Sequence, residues 1–183
     1  MSVLAELRME REFEHKALKS TSVEGRGAIE KKIFEQYDAW LDRCEFGHRW
    51  LQIEAIAQIV ATKMQAFDGD RYRLLAYCIM PNHVHLLLDS LLHKEASHRG
   101  KSARYPVTDT LRLLKGSTAR DCNLELGRGG SFWQHESYDH AVRDEQELDK
   151  TILYILNNPV KAGLVKEWKD WPFTYLMPGF GNW

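Results

Sequence analysis

Long apolar runs are missing from this 183-residue sequence, and none approaches the roughly 18 residues that a membrane-spanning helix needs. The N-terminal residues are charged from Arg8 onward and lack the apolar stretch and cleavage site of a signal peptide. We therefore expect a cytoplasmic protein without a membrane partner.

Cysteine is scarce, with only Cys44, Cys78 and Cys122 in the whole chain. The three lie far apart, are odd in number and form no Cys-x-x-Cys pair. This pattern argues against a disulfide framework and against a zinc knuckle. Reduced thiols are the expected state.

An excess of charge of one sign is also lacking, because 25 basic residues face 26 acidic ones for a formal charge of −1. A protein that coats nucleic acid nonspecifically is therefore not favoured. Residues 91–130 are a local exception, with basic residues twice as frequent as acidic ones. A solvated surface explains such a stretch as readily as a phosphate-binding surface does.

Length and composition predict a single domain, since 183 residues with 44% hydrophobic content can form one core. Apolar residues recur at helical spacing in several segments and alternate as in strands in others. The predicted helices cover residues 3–18, 28–41, 50–67, 108–123 and 144–157, and the predicted strands cover 71–80, 83–89 and 132–142. This order predicts an α+β domain with an antiparallel sheet. We divide it into a mainly helical segment (1–70) packed on the same domain, a core (71–175) and a tail (176–183).

Four local signals set the expected boundaries of these elements. The Pro81-Asn82 pair predicts the turn of a β-hairpin. Thr108 is an expected helix N-cap, and Asp144 is another, with Glu147 as its capping-box partner. Pro159 is expected to end the last helix at about residue 157.

The sequence His83-Val84-His85 is the sharpest chemical feature of the chain. In a strand, residues i and i+2 point to the same face, so both imidazoles can share one cation while Val84 and Leu86 point into the core. Two surface histidines on a half-exposed strand are the structural alternative. Two imidazoles would also suit Zn²⁺ or Ni²⁺, so the ligands alone do not identify the metal.

Tyr154 and Asn158 form the second feature, because their spacing of four residues places them on one face of a helix. A phenol is a weak nucleophile at neutral pH, but a divalent cation that polarises a phosphate would make its attack possible. A buried core tyrosine beside an asparagine that caps the helix is the alternative. Tyr138 is a rival nucleophile, although its segment offers no asparagine at helical spacing.

Together with their neighbours, these features resemble the REP-associated tyrosine transposases, which belong to the single-tyrosine HUH (His-hydrophobic-His) transposases. The matching runs are collinear from about Trp50 to Phe173: YCIMPNHVHLLL at 77–88, FWQHESYDHAVRDEQEL at 132–148, YILNNPVKAGLV at 154–165 and WPF at 171–173. Family members usually begin with a strand that joins the sheet, whereas residues 3–18 predict a helix. Either the chain starts later than its relatives or the sheet has one strand fewer.

The resemblance implies a ferredoxin-like antiparallel sheet, with His83 and His85 on a central strand holding Mg²⁺ or Mn²⁺. It implies that Tyr154 is the nucleophile and that Asn158 helps to bind the metal. The substrate would be single-stranded DNA beside a hairpin, cleaved and rejoined through a 5′-phosphotyrosine. Either a monomer or a homodimer is compatible with this reading.

The basic segment and its aromatic neighbours then supply candidate DNA contacts. Cationic side chains could bind phosphates, and aromatic rings could stack on unpaired bases, although a core position is the alternative for Trp133. The candidates are Arg104, Arg112, Lys115, Arg120, Trp133 and Tyr138.

Two other functions compete with a transposase. One is a domesticated or decayed relative that binds hairpin DNA without cutting it. The other is a metal-dependent hydrolase of a small phosphate ester, which would need no covalent link to Tyr154.

Overall fold

The computed structural model describes residues 41, 47–90, 106–134, 137 and 139–180. The chain divides into two units, residues 1–41 and 42–183, and every described residue except Leu41 belongs to the second. The helices expected over 3–18 and 28–41 lie outside the described residues, apart from Leu41 itself. The same holds for two candidate DNA contacts, Arg104 and Tyr138.

Helices and strands alternate irregularly along the second unit. In chain order they are a 3₁₀ turn at Trp50–Gln52, helix α1 (Glu54–Ala66), strand β1 (Arg73–Ile79), strand β2 (Val84–Asp89), helix α2 (Pro106–Glu125), helix α3 (Glu145–Lys161), a 3₁₀ turn at Trp168–Asp170 and strand β3 (Thr174–Leu176). The protein is an α+β protein, as the sequence predicts. None of the helices in the described part of the chain is long and apolar enough to cross a bilayer.

The three strands form an antiparallel sheet in the order β2-β1-β3. The β1–β2 hairpin forms around the predicted turn at Pro81-Asn82, with Ile79 opposite Val84 and Cys78 opposite His85. Among the described strands β1 is central and β2 lies at an edge. The resemblance implied a central position for the histidine strand, whereas among the three described strands it lies at an edge.

Both faces of the sheet are covered, because β1 is buried on each side. Tyr77 and Ile79 belong to a core that α1 and α2 complete. Ala76 and Cys78 point to the other face and pack with the apolar side of α3. Val84 and Leu86 pack on the α1 face as predicted, and His85 therefore lies on the α3 face.

The N-terminal end of α3 agrees with the prediction, and its C-terminal end does not. Asp144 is the N-cap and accepts the backbone N–H of Glu147 at 2.8 Å, as predicted. Pro159 does not end the helix, which continues to Lys161. A proline removes only one backbone N–H donor from a helix, so the helix can continue past it. It ends less than one turn later, just before Gly163, whose φ is +69°. The N–H groups of Gly163 and Leu164 close the end by bonding to the carbonyls of Val160 and Pro159.

Two further predictions are corrected. Helix α2 begins at Pro106 instead of after Thr108, because proline suits the first helical position, where no backbone donor is needed. The described residues between 132 and 142 form no strand, because Phe132 and Trp133 pack against the α1 core through their side chains without joining the sheet. The third strand is β3, which the sequence did not reveal.

Candidate active site

His83 and His85 meet at the start of β2. The backbone N–H of Met80 bonds to the carbonyl of His83 at 2.9 Å and closes the turn. The sequence predicted that His83 belongs to the strand. In the structure His83 lies one residue before the start of β2. The two rings are nevertheless adjacent and perpendicular, with their Nε2 atoms 2.9 Å apart.

Neighbouring amides indicate which ring nitrogens carry protons. Asn82 Oδ1 lies 2.7 Å from Nδ1 of His83, so that nitrogen donates. Asn158 Nδ2 lies 2.9 Å from Nε2 of His85, so that nitrogen accepts. In this arrangement both Nε2 lone pairs point into the same space. Two lone pairs at this distance repel each other unless a positive charge lies between them.

Burial keeps both imidazoles neutral. His83 is only 9% exposed, and burial lowers its pKa to about 4. Burial also holds the pKa of His85 well below its ordinary value, and the nearby charges of His83 and Lys161 lower it further. The rings are therefore unprotonated near pH 7, which is the form that binds a metal ion.

Asn158 reaches this pair from α3. Its side chain is fully buried, and its Oδ1 has no hydrogen-bond partner among the described residues. In the described orientation Nδ2 is the atom near His85, whereas in a metal-bound state a half-turn of the amide would bring Oδ1 to that position. A buried acceptor without a partner is costly, and a cation would satisfy it.

These donors fit a divalent cation of the size of Mg²⁺ or Mn²⁺. In an octahedral site with bonds of about 2.1 Å, neighbouring donors lie about 3.0 Å apart. The Nε2 atoms of His83 and His85 are 2.9 Å apart, and the Asn158 amide lies, through Nδ2, at the same distance from His85 Nε2. No group of three or more His, Cys, Asp or Glu side chains suited to a metal occurs in the described ranges, so a metal at this pair would take a third protein donor of another type, and the amide of Asn158 is near enough to supply it.

Tyr154 lies one helical turn before Asn158. Its half-buried ring is perpendicular to the ring of His85, with the two centroids 5.7 Å apart. Helix α3 is fixed over the sheet by Ile152, Ile155 and Leu156, so the phenol and the amide have a rigid support. The structure therefore brings the four residues singled out in the sequence into one cluster.

Two residues of the cluster were missed in the sequence. Asn82 supports His83, and Lys161 places its Nζ 5.1 Å from the centroid of the Tyr154 ring. The signal for Lys161 was available, because it follows Tyr154 by seven residues, or two helical turns. Asn82 had been assigned only to the turn.

The candidate DNA contacts on α2 do not join this cluster. Helix α2 packs on the α1 face of the sheet, opposite α3. Arg112 is exposed and lies 3.3 Å from Asp109, and Arg120 is also exposed. Lys115 Nζ donates to the carbonyl of Gln134 at 2.7 Å and to Ser137 Oγ at 3.0 Å.

Trp133 occupies a partly buried core position. Its indole N–H donates to Thr118 Oγ1 at 2.9 Å, and its ring meets Phe132 edge to face. These contacts correspond to the structural alternative considered for this residue.

Comparison with curated proteins supports the family resemblance. The chain is 28% identical over 103 residues to a protein of Escherichia coli K12 named REP-associated tyrosine transposase. It is 32% identical over 103 residues to a Haemophilus influenzae protein that bears the same name with a provisional qualifier. Each match covers 56% of this chain, and the two cover 53% and 58% of the relatives, so the chain spans little more than half their length. No family model and no solved structure matches the chain.

Proposed function

We propose that this protein is a metal-dependent transposase of the REP-associated tyrosine type, which cleaves and rejoins single-stranded DNA. The observation that carries the proposal is the convergence of a phenol, two neutral imidazoles and a buried amide from β2, α3 and the turn before β2. The names of the two relatives support the same class of enzyme. Chromosomal DNA as the substrate implies a cytoplasmic location at the nucleoid.

His83, His85 and Asn158 would hold Mg²⁺ or Mn²⁺. All three donors are neutral, so a bound cation keeps most of its charge and can polarise a DNA phosphate. The protein's contribution is to keep these donors dehydrated, unprotonated and fixed. Burial of His83 and the full burial of Asn158 support each part of this role.

Tyr154 would carry the covalent step. Its Oη forms a bond to the phosphorus of a phosphodiester beside a DNA hairpin, and the bond from phosphorus to the 3′ oxygen breaks. The phenol proton passes to water, and the 3′ oxygen takes a proton from water. Attack of a 3′-hydroxyl on the 5′-phosphotyrosine reverses these changes and joins strands, so no external energy source is needed.

The first test is covalent trapping with a labelled single-stranded hairpin oligonucleotide and Mn²⁺. We expect a protein–DNA adduct that resists denaturation in the unaltered protein and disappears in Tyr154→Phe. Tyr175→Phe is the matched control, because Tyr175 is also a half-buried tyrosine but stacks on Tyr77 at the other face of the sheet. An adduct that persists in Tyr154→Phe contradicts the assignment of the nucleophile.

Two further assays, a gel shift and the turnover of a small phosphate ester, separate the competing functions. Binding of the hairpin in a gel shift without any adduct in Mn²⁺ indicates a relative that recognises DNA but no longer cuts it. Turnover of a small phosphate ester that survives Tyr154→Phe indicates a hydrolase. Either result overturns the transposase proposal.

A further inference from the structure

One side of α3 carries three polar residues in a row above the histidine pair. Tyr154, Asn158 and Lys161 follow each other at the spacing that places residues on one helical face. Lys161 starts about 10 Å beyond Tyr154 along the axis, yet its Nζ lies 5.1 Å from the centroid of the Tyr154 ring. The lysine side chain therefore runs back along the helix toward the phenol, as side chains of α-helices tend to do.

The three residues of this row differ in exposure. Asn158 is fully buried, Tyr154 is half-buried, and Lys161 is exposed. The ammonium of Lys161 thus lies where solvent and a substrate can reach it, beside the ring that would supply the nucleophile. The ring of Tyr154 that it approaches lies in turn 5.7 Å from the ring of His85, centroid to centroid.

A lysine is an unfavourable neighbour for a site that takes a cation. Its ammonium and a divalent metal ion repel each other, and the repulsion is strong where water is partly excluded. An anion that contacts both charges reverses the sign of this interaction. The phosphodiester backbone of DNA is such an anion, with two non-bridging oxygens on each phosphate.

We propose that Lys161 binds the DNA phosphate that Tyr154 attacks, by donating a hydrogen bond from Nζ to one of its non-bridging oxygens. The inference rests on the proposed function and adds a phosphate-binding residue to it. Lys161 holds the phosphorus near the phenol oxygen and offsets the negative charge that develops on the phosphate oxygens during attack. It neither forms nor breaks a covalent bond.

The test measures adduct formation in a single turnover with Mn²⁺ for Lys161→Gln and Lys161→Arg. The matched control is Lys150→Gln, which removes the same charge from an exposed position of the same helix. We expect Lys161→Gln to slow adduct formation about 10- to 100-fold, Lys161→Arg to retain most of the rate, and the control to match the unaltered protein. Mn²⁺ affinity in the absence of DNA should stay the same or increase in Lys161→Gln.

A chemically modified substrate shows whether the lysine acts on the phosphate itself. A methylphosphonate at the scissile position replaces one non-bridging oxygen with a methyl group and removes its charge. If Lys161 contacts this oxygen, the two changes are not additive, and Lys161→Gln costs much less rate on the modified oligonucleotide. Equal rate losses on both substrates overturn the inference, as does a normal rate in Lys161→Gln or a loss of Mn²⁺ affinity.

Failure of the proposed function gives a different result. In that case the unaltered protein forms no adduct, and the inference is judged by binding of the same oligonucleotide in Mn²⁺. Weaker binding by Lys161→Gln than by Lys150→Gln supports the phosphate contact. Equal binding by the two variants overturns it.

Discussion

Asn158 is the residue whose position is hardest to explain by packing alone. A fully buried amide whose oxygen has no partner among the described residues destabilises the fold. An apolar side chain of similar size would avoid this cost. The presence of an amide is therefore better explained by a ligand than by the core.

This leads to a prediction in which metal binding falls much more than stability. Asn158→Leu should change the free energy of unfolding without metal by no more than about 1 kcal/mol, because it removes the unsatisfied oxygen but also the hydrogen bond from Nδ2 to His85. Mn²⁺ affinity should fall at least about tenfold, as for other losses of a metal ligand or its support. Calorimetric titration with Mn²⁺ and urea unfolding in EDTA measure the two quantities.

Asn157→Leu provides the comparison for this variant. Asn157 is the exposed neighbour, and its amide bonds to the carbonyl of Leu153 on the same helix. Mn²⁺ affinity should be unchanged there. A loss of affinity in both variants, or in neither, contradicts the assignment of Asn158 as a ligand.

At the residue scale the sequence indicated which side chains belong to the site better than it indicated where they lie relative to one another. The spacing of His83 and His85 implied adjacent rings, and the rings are adjacent although His83 precedes the strand. The contact of Asn158 with His85 joins positions 73 residues apart. No local pattern encodes such a distance, so only the family resemblance placed these side chains together.

Helix α3 is the element on which the site depends most, because it carries Tyr154, Asn158 and Lys161. Its C-terminal end is fixed by Gly163, whose φ of +69° is accessible to glycine at little cost. No atom lies within 4 Å of a Cβ added there, so backbone conformation alone decides the effect of a substitution. Gly116 in α2 also has free space around it, but its φ is not in the left-handed region.

The two glycines predict effects of opposite sign. Gly163→Ala should lower the free energy of unfolding by about 1 kcal/mol, because alanine is strained at positive φ. Gly116→Ala should raise it by up to about 1 kcal/mol, because alanine favours the interior of a helix. Urea unfolding of both variants tests this, and destabilisation by the same amount in both is incompatible with the described end of α3.

The elements that the sequence predicted well are those with strong local signals. The hairpin was predicted from two apolar runs around Pro81-Asn82, and the start of α3 from Asp144 and Glu147. Strand β3 has only three residues and forms because Tyr175 and its neighbours pair with β1, which is a long-range effect. Residues 132 and 133 look like a strand because they are aromatic, yet their rings belong to the core.

At the scale of the whole molecule, the sheet separates two cores of which only one supports the site. The α1 face contains Ile56 and the α3 face contains Ile152, and both side chains are fully buried. Substitution of either isoleucine by alanine removes the same aliphatic groups from a fully buried site. The two positions thus report separately on the two faces.

Ile56→Ala and Ile152→Ala should each lower the free energy of unfolding by about 2–5 kcal/mol. Only Ile152→Ala should also weaken Mn²⁺ binding and slow adduct formation, because it loosens α3 over the histidines. The measurements are made at a temperature where both variants are folded, as judged by circular dichroism. Equal functional losses would show that overall stability, and not the support of α3, controls the site.

The contact between His85 and Asn158 also determines when in folding the site can exist. The two histidines are neighbours in a short hairpin, but the third donor is 73 residues away along the chain. Bringing such distant positions together carries an entropic cost that grows with the logarithm of the separation. If the protein binds a metal as proposed, a nascent chain that has released only the hairpin from the ribosome would hold two donors but not the third, so metal binding would have to wait until α3 is synthesised and packed.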